Sequence, residues 1–250
     1  MTVVLVHGNP ETEAVWDPLV EALVAAGHDE PVRLSPPGFG APVPDGWGAT
    51  VEEYRAWLAA ELAEFSAPVD LVGHDWGGGH VVNVAMTRPE LLRTWCSDIV
   101  GVFDPEYVWH DLAQLWQRPR VGEDALAKML AAPPAARAAG YVQRGMSAGV
   151  AERLADGFDA TMVDCILKLY RSAAQPALAR LGAGLEAAAA RPGLAIQAAD
   201  DHMVGTDEQR RRAAARAGAR VEVLDGLGHW WMTQDPQRGA AVLAKFWTSV

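Results

Sequence analysis

The stretch LVGHDWGGGH, residues 71–80, sets an aspartate, Asp75, between Gly73 and Gly77 in the spacing Gly-x-Asp-x-Gly. In a sharp turn from strand to helix, glycines at these two positions let the strand and the helix close around a central side chain that stands above the sheet. A carboxyl group with an ordinary pKa of about 3.9 is ionised at neutral pH. Asp75 can therefore attack a saturated carbon without a base, which forms an alkyl ester with the protein.

A histidine near the end of the chain can complete this chemistry. His229 lies in DGLGHWWMTQDP, in a loop that follows the last predicted strand. An imidazole there can activate water against the ester carbonyl, provided that a carboxylate orients its ring. The strand predicted in GLAIQAADDHMVG ends at two adjacent aspartates, Asp200 and Asp201. Residue chemistry alone does not choose between them.

An early loop offers hydrogen-bond donors for the oxyanion that forms during ester hydrolysis. The stretch VLVHGNPE places Gly8 and Asn9 directly after the first predicted strand. Gly8 lets the backbone turn, so that the amides of Asn9 and of Trp76, the residue after Asp75, can converge on one oxygen. The predicted site therefore opens carbon–oxygen or carbon–halogen bonds at a tetrahedral carbon, and we expect neither a metal nor an organic cofactor.

Short apolar runs alternate with amphipathic segments, which predicts an α/β fold with a parallel, doubly wound sheet. The predicted strands are residues 2–8, 31–35, 68–74, 95–103, 193–200 and 220–226. The predicted helices are residues 15–26, 50–65, 78–86, 207–217 and 236–247. Only helical patterns occur from 104 to 191, so we expect a helical cap there, inserted over the carboxyl end of the sheet. Residues 1–103 and 192–250 would form the core.

Composition excludes several classes of function. The chain has 250 residues with 32 acidic and 21 basic side chains, a net charge of −11, which disfavours nucleic acid and anionic membranes as partners. Cys96 and Cys165 lie far apart and without metal-ligand spacing, so buried thiols are expected. No signal peptide or membrane span is apparent, and we expect a soluble, cytoplasmic monomer or homodimer.

Four motifs together resemble the α/β-hydrolase superfamily over nearly the whole chain: HGNP at 7–10, GHDWGG at 73–78, ADDHMV at 199–204 and GHW at 228–230. The resemblance is closest to the branch with an aspartate nucleophile, the epoxide hydrolases and haloalkane dehalogenases. It implies that Asp201 is the third member of the catalytic triad, with Asp75 and His229. The chain opens at the HG strand, where the family has two earlier strands, so a sheet of about six strands is expected.

The resemblance favours an epoxide hydrolase, which converts an epoxide to a vicinal diol. In that family cap tyrosines protonate the epoxide oxygen, and Tyr170 in LKLYRSA looks like the Tyr-Arg cap motif. The alternative is that Tyr170 is a half-buried amphipathic side chain on a cap helix. Tyr141 is the preferred second tyrosine and Tyr107 the alternative, although neither lies where the family alignment would put it.

A haloalkane dehalogenase is the alternative. One group of these enzymes resembles this chain in binding halide with the Asn of HGNP and the Trp after the nucleophile, here Asn9 and Trp76. Trp109 and Trp116 would line a pocket for a small apolar epoxide or haloalkane, unless they are simply core residues. An esterase or lactonase, or a ligand-binding protein without catalysis, remains a further alternative on this scaffold.

Overall fold

The computed structural model describes residues 1–250 and contains one sheet of six parallel strands. The strands are β1 (Val3–Val6), β2 (Val32–Leu34), β3 (Val69–Gly73), β4 (Leu92–Ser97), β5 (Gly193–Ala198) and β6 (Ala219–Leu224). Their spatial order is β2-β1-β3-β4-β5-β6, and the register places Val4 of β1 beside Leu71 of β3. The predicted parallel sheet of about six strands is confirmed.

The twelve α-helices are α1 (Asp17–Ala25), α2 (Val51–Ala63), α3 (Trp76–Thr87), α4 (Asp111–Gln117), α5 (Val121–Ala131), α6 (Pro134–Gln143), α7 (Ala148–Asp156), α8 (Ala160–Ser172), α9 (Ala177–Gly182), α10 (Asp207–Arg216), α11 (Trp231–Gln234) and α12 (Pro236–Trp247). Local signals explain several helix starts. Thr50 and Glu53 form a reciprocal capping box at α2, and the Asp235 side chain caps α12. No helix combines the length and apolar character that a membrane span requires.

Both faces of the sheet are covered. β1, β3 and β5 are buried along their whole length, as expected for inner strands of a parallel sheet, whereas β2 is exposed or half-buried. Val4 and Val6 of β1 join a core that includes residues of α2 and α3. Val3 and Leu5 join a second core with residues of α1 and α12. Alternate side chains of one strand therefore pack into the cores on the two faces of the sheet. Helices cover both faces, and the predicted double winding is confirmed.

The segment between β4 and β5 contains no strand. It consists of α4 to α9, flanked by 3-10 helices at Val100–Phe103 and Leu185–Ala190. The prediction of an exclusively helical insertion between the fourth and fifth strands therefore agrees with the structure. We call residues 104–191 the helical segment.

The fourth strand differs from its prediction of residues 95–103. β4 begins at Leu92, ends at Ser97, and is followed by a 3-10 helix at Val100–Phe103. The strand stops where side chains bind backbone amides: the Ser97 hydroxyl accepts from the Ile99 amide, and the Asp98 carboxylate accepts from the Asp75 amide. The apolar run IVGVF is buried as a helical turn, and periodicity alone does not separate such a turn from a strand.

Candidate active site

The predicted polar residues of the site all follow the carboxyl ends of strands. Asn9 comes after β1, Asp75 after β3, Asp201 after β5 and His229 after β6. Because the strands are parallel, these loops meet at one edge of the sheet. The structure brings the four residues together there, with hydrogen bonds or short distances joining one to the next.

Asp75 occupies a strained turn between β3 and α3. Its φ of 48° and ψ of −130° are unusual for a residue with a side chain, and they place it at the N-cap of α3. A side chain at Gly77 would collide with the Val6 carbonyl, and one at Gly8 would collide with the carboxylate of Asp75. The glycines therefore let the turn and the neighbouring loop approach the aspartate closely, as the spacing predicted.

His229 is oriented by Asp201 and faces Asp75. Its Nδ1 lies 2.8 Å from Oδ2 of Asp201, and its Nε2 lies 3.8 Å from Oδ1 of Asp75. Asp200 is exposed, whereas Asp201 is buried. The geometry thus pairs His229 with the aspartate that the family resemblance selected, and leaves Nε2 directed at Asp75.

The second oxygen of Asp75 faces backbone donors. The Asn9 amide donates to Oδ2 of Asp75 at 3.0 Å. Trp76 is the first residue of α3, where a helix N–H has no acceptor within its own helix. Asn9 is 5% exposed, and both its Oδ1 and its Nδ2 are buried without a hydrogen-bond partner. Such an unpaired buried amide is costly unless a ligand satisfies it.

Charges in the site are strongly coupled. Burial raises the pKa of Asp75, and the nearby His229 opposes that rise. Burial alone would lower the pKa of His229, but the Asp201 carboxylate raises it above its usual value. Burial alone would raise the pKa of Asp201, but His229 lowers it to about 2. At neutral pH the site therefore holds an ionised Asp201 against an imidazole whose basicity that carboxylate enhances.

Aromatic rings from the helical segment pack against Trp76, the residue after Asp75, and against one another. Tyr170 of α8 packs edge-on against Trp76, with ring centroids 5.4 Å apart. Trp109 stacks on Trp76 at 5.6 Å, and Trp116 packs against Tyr170 at 4.9 Å. All four rings are buried. The predicted pocket tryptophans therefore do lie beside the predicted tyrosine, in one continuous wall.

The four tyrosines of the chain differ in what their hydroxyls do. Those of Tyr54, Tyr107 and Tyr141 donate to the backbone carbonyls of Pro37, Met203 and Pro10, at 2.9, 2.8 and 2.9 Å. The hydroxyl of Tyr170 donates to no protein acceptor. Burial, followed by the nearby Asp75 carboxylate, raises the pKa of Tyr170 well above its usual value. Of the two tyrosines predicted as acids, Tyr141 donates its hydroxyl hydrogen bond to Pro10. Only Tyr170 has a hydroxyl that is available to donate to a ligand.

Three buried residues of this edge were not assigned a role by the sequence. Glu11 follows the HGNP loop, His74 precedes Asp75, and Asp98 follows β4. His74 lies between the two carboxylates, 2.6 Å from Asp98 and 3.1 Å from Glu11. A signal was available, because each is a titratable residue at the carboxyl end of a buried strand or one step beyond a catalytic motif.

Glu11, His74 and His229 are the groups of the chain most suited to hold a metal ion. Their ligand atoms lie within 4.8 Å of one another, and all three side chains are buried. Both ring nitrogens of His74, however, face carboxylate oxygens at hydrogen-bond distance. That arrangement is a set of ion pairs, since a metal ligand needs a nitrogen whose lone pair points to the ion.

Comparisons with known proteins agree with this fold. At fold level the chain is similar to an enol-lactonase from Burkholderia xenovorans (21% identity, TM-score 0.72, covering 98% of this chain and 90% of the other). It is also similar to a loop variant of a haloalkane dehalogenase from Bradyrhizobium elkanii (18%, TM-score 0.68, 99% and 90%) and to E-2-(acetamidomethylene)succinate hydrolase (15%, TM-score 0.75, 99% and 91%). No curated protein sequence matches the chain.

The sequence profile of the alpha/beta hydrolase family matches residues 3–242. That span includes every strand, the strained turn at Asp75 and the His229 loop. With the six-stranded parallel sheet and the meeting of these loops at its carboxyl edge, the match is decisive, and the chain belongs to the α/β-hydrolase family.

Proposed function

We propose that this hydrolase uses Asp75 as a nucleophile toward a tetrahedral carbon and His229 to hydrolyse the resulting ester, with an epoxide as its substrate. The observation that carries the proposal is chemical: a carboxylate, not a hydroxyl or a thiol, stands at the strained turn and faces a histidine–aspartate pair. A carboxylate forms an alkyl ester by displacement, and a second step must cleave that ester.

The two oxygens of Asp75 have different environments, which suggests different roles. Oδ2 accepts the Asn9 amide, whereas Oδ1 has no such donor and faces His229. In the first step Oδ1 attacks an epoxide carbon, the carbon–oxygen bond of the ring breaks, and the departing oxygen takes the proton of Tyr170. The phenolate of Tyr170 then recovers a proton from water. Tyr170 fits this part because its hydroxyl is free and lies in the aromatic wall beside Asp75.

In the second step His229 removes a proton from water, and the hydroxide adds to Cγ of Asp75. The amides of Asn9 and Trp76 stabilise the negative charge on Oδ2. The bond from Cγ to Oδ1 then breaks, the imidazolium returns its proton to the departing alkoxide, and the diol leaves with Oδ1. The oxygen from water replaces Oδ1, and the new carboxylic acid gives its proton to the hydroxide left when Tyr170 was reprotonated, so that the carboxylate is regenerated.

Shape and polarity of the site support a small, uncharged substrate. The side chain of Asp75 is 15% exposed and that of His229 is 8% exposed, so the site is nearly closed. The wall beside Asp75 consists of Trp76, Trp109, Trp116 and Tyr170, with no charged side chain among them. An ionic substrate would lose its hydration there without a partner.

A haloalkane dehalogenase is a second candidate, favoured by one specific observation. The Asn9 side chain is buried beside Asp75 with its Nδ2 unpaired, and an N–H donor in such a position suits a departing halide. A halide needs no acid, so Tyr170 would then serve only as part of the pocket wall.

A mixed panel of small epoxides and haloalkanes separates the two candidates. We expect diol formation from epoxides, measured by chromatography, and no halide release. Halide release without diol would instead assign dehalogenation. Hydrolysis of esters or lactones alone, or saturable binding without turnover, would overturn both candidates.

Trapping the ester tests the two-step scheme itself. In His229→Gln, Asp75 still attacks but water is not activated, so alkyl-enzyme should accumulate and add the substrate mass to the intact protein. His28→Gln is the matched control, because His28 lies before β2 at the opposite edge of the sheet. In wild-type protein, a single turnover in ¹⁸O-water should label Asp75 rather than the diol. Label found directly in the diol would contradict ester formation.

A further inference from the structure

A second histidine lies against the catalytic one. His74 is completely buried, and its ring centroid is 4.6 Å from that of His229. Nδ1 of His74 lies 2.6 Å from Oδ2 of Asp98, and Nε2 lies 3.1 Å from Oε1 of Glu11. Glu11 and Asp98 are themselves almost completely buried, so three ionisable groups share one dry site.

The hydrogen bonds around these groups determine where the protons are. The oxygens of Glu11 accept from His74, from the Trp230 indole at 2.5 Å and from the Gly8 amide at 3.3 Å. The oxygens of Asp98 accept from His74, from the Trp231 indole at 2.8 Å and from the Asp75 amide at 3.0 Å. All four oxygens thus meet donors, and apart from His74 itself no acceptor is present for a carboxylic acid proton. Both carboxylates fit the ionised form, which requires a proton on each nitrogen of His74.

We propose that His74 is a permanent imidazolium, held between Glu11 and Asp98, that positions the catalytic loops and keeps Asp75 ionised beside a basic His229. His74 is a positioning residue, since it acts through Asp75 and His229 and not on the substrate. The inference rests on the proposed function only for its effect on catalysis; the charge of His74 stands independently.

The ion triad of Glu11, His74 and Asp98 connects three of the four loops that carry the proposed chemistry. Glu11 binds the Gly8 amide next to the oxyanion donor, and Asp98 binds the amide of Asp75. Trp230 and Trp231, which donate to these carboxylates, directly follow His229 in the chain. One cation with two anions therefore fixes three separate loops. If one of the three side chains moved away, the remaining buried charge would be unpaired. Because that is costly, the three groups hold one another in place.

The charge of His74 also acts on its neighbours. Five ionisable groups surround it: Glu11, Asp98, Asp75, His229 and His7. Burial raises the pKa of Asp75, Glu11 adds to that rise, and His229 and His74 oppose it. Burial lowers the pKa of His7 to about 4, so His7 is neutral and cannot replace His74 as the cation. The two charged neighbours, His74 and Glu11, thus shift the pKa of Asp75 in opposite directions: His74 lowers it and Glu11 raises it.

Nitrogen NMR of the wild-type protein tests the charge directly. With ¹⁵N-labelled histidine, both ring nitrogens of His74 should show the protonated signature throughout about pH 5 to 9, a range in which an ordinary histidine titrates. His74→Gln assigns the resonances by their disappearance. A neutral tautomer of His74 at pH 7, or a ring that titrates near the usual value, would overturn the proposal.

Two variants of opposite charge effect test the role in catalysis. In single-turnover alkylation, His74→Gln should move the acidic limb of the pH profile, which reports ionisation of Asp75, to higher pH by about 1 unit or more. Glu11→Gln should move the same limb to lower pH, because it removes a carboxylate near Asp75. A loss of packing would lower the rates of both variants without shifting their limbs in opposite directions.

His80→Gln is the matched control for these profiles. His80 is also a buried histidine of the turn-and-helix region, but burial lowers its pKa to about 3, so it carries no charge to remove. The acidic limb of its alkylation pH profile should coincide with that of wild type. Failure of the proposed function would appear as no Asp75 ester at any pH. Failure of the present proposal would appear as a neutral His74, or as unshifted limbs in an enzyme that does form the ester.

Discussion

The loops at the carboxyl edge of the sheet and the helical segment contribute to the site in different ways. The loops hold polar groups by hydrogen bonds that run from loop to loop, as from Asp201 to His229 and from Asn9 to Asp75. The helical segment contributes packed rings, and the Tyr170 hydroxyl among these rings has no protein acceptor. Hydrogen bonds therefore orient the polar side chains at the sheet edge, whereas close packing orients the rings of the helical segment.

This difference predicts different consequences of mutation in the two regions. A substitution at the sheet edge removes a charge or a donor that the proposed reaction uses, so it should change rates and pH profiles. A substitution in the helical segment changes the volume and outline of the pocket, so it should change substrate preference and apparent affinity. Tyr170 is the exception that links the regions, since it combines ring packing with a free hydroxyl.

Asp201→Asn should give the largest effect. The variant removes the carboxylate that orients His229, and comparable changes in catalytic triads cost about 10⁴-fold in rate. Asp201 raises the pKa of His229. The residual ester hydrolysis of the variant should therefore show an apparent pKa for His229 at lower pH than in wild type. Stopped-flow measurement of the hydrolysis step across pH checks both expectations.

Asp200→Asn is the control for this prediction. Asp200 is the adjacent carboxylate, yet it is exposed, and the hydrogen bond of His229 goes to Asp201. Its variant should keep the wild-type rate and profile. Equal losses of hydrolysis rate in the two variants would mean that the hydrogen bond from His229 to Asp201 does not govern ester hydrolysis.

The sheet edge was also the better predicted region. Asp75, His229 and Asn9 were located from the sequence because a parallel sheet places the ends of its strands together, so position along the chain implies position in space. Choosing Asp201 over Asp200 needed the family resemblance, since two adjacent carboxylates have the same chemistry. The fourth strand was misplaced because its apolar run continues into a buried 3-10 helix.

The helical segment was predicted as helical, but its contacts were not. Nothing in the pattern of α6 indicates that the Tyr141 hydroxyl donates to Pro10, because that bond depends on how the helix is placed over the sheet. The ion triad was missed for a related reason. Glu11, His74 and Asp98 come from three loops, and their pairing depends on distances between loops that no local spacing encodes.

Tyr170→Phe should give an intermediate effect that links the two regions. If its hydroxyl protonates the epoxide oxygen, its loss should slow formation of the alkyl-enzyme by about 10²–10⁴-fold and leave ester hydrolysis unchanged. Ring volume is nearly conserved, so the free energy of unfolding should change by only about 1 kcal/mol. Pre-steady-state alkylation kinetics with an epoxide measure this. If haloalkanes are the substrates instead, the variant should release halide at the wild-type rate, because a halide needs no acid.

Tyr141→Phe is the matched comparison. It removes a hydroxyl of the same segment, but one already bonded to the Pro10 carbonyl, so alkylation should respond less than in Tyr170→Phe. A Tyr170→Phe enzyme that opens epoxides at the wild-type rate would remove this residue from the proposed mechanism. Equal slowing in both variants would argue that the segment acts through packing alone.

Trp116→Phe should give the smallest effect on catalysis and the clearest separation of shape from chemistry. The ring packs against Tyr170 and lies in the aromatic wall beside Asp75. The smaller ring enlarges the pocket, so KM for small epoxides should rise by up to about 10-fold. The pH profile should stay in place because no charge changes. The cavity should cost about 1–3 kcal/mol of unfolding free energy.

Trp247→Phe separates that outcome from a general loss of packing. Trp116 and Trp247 are both 3% exposed, but Trp247 ends α12 and packs against His28 at the other edge of the sheet. Its variant should lose a similar stability, measured by thermal unfolding, while KM stays at the wild-type value. A rise in KM in both variants would show that the affinity follows stability. A rise in Trp116→Phe alone would show that the helical segment sets the outline of the pocket, whereas the sheet edge supplies its charges.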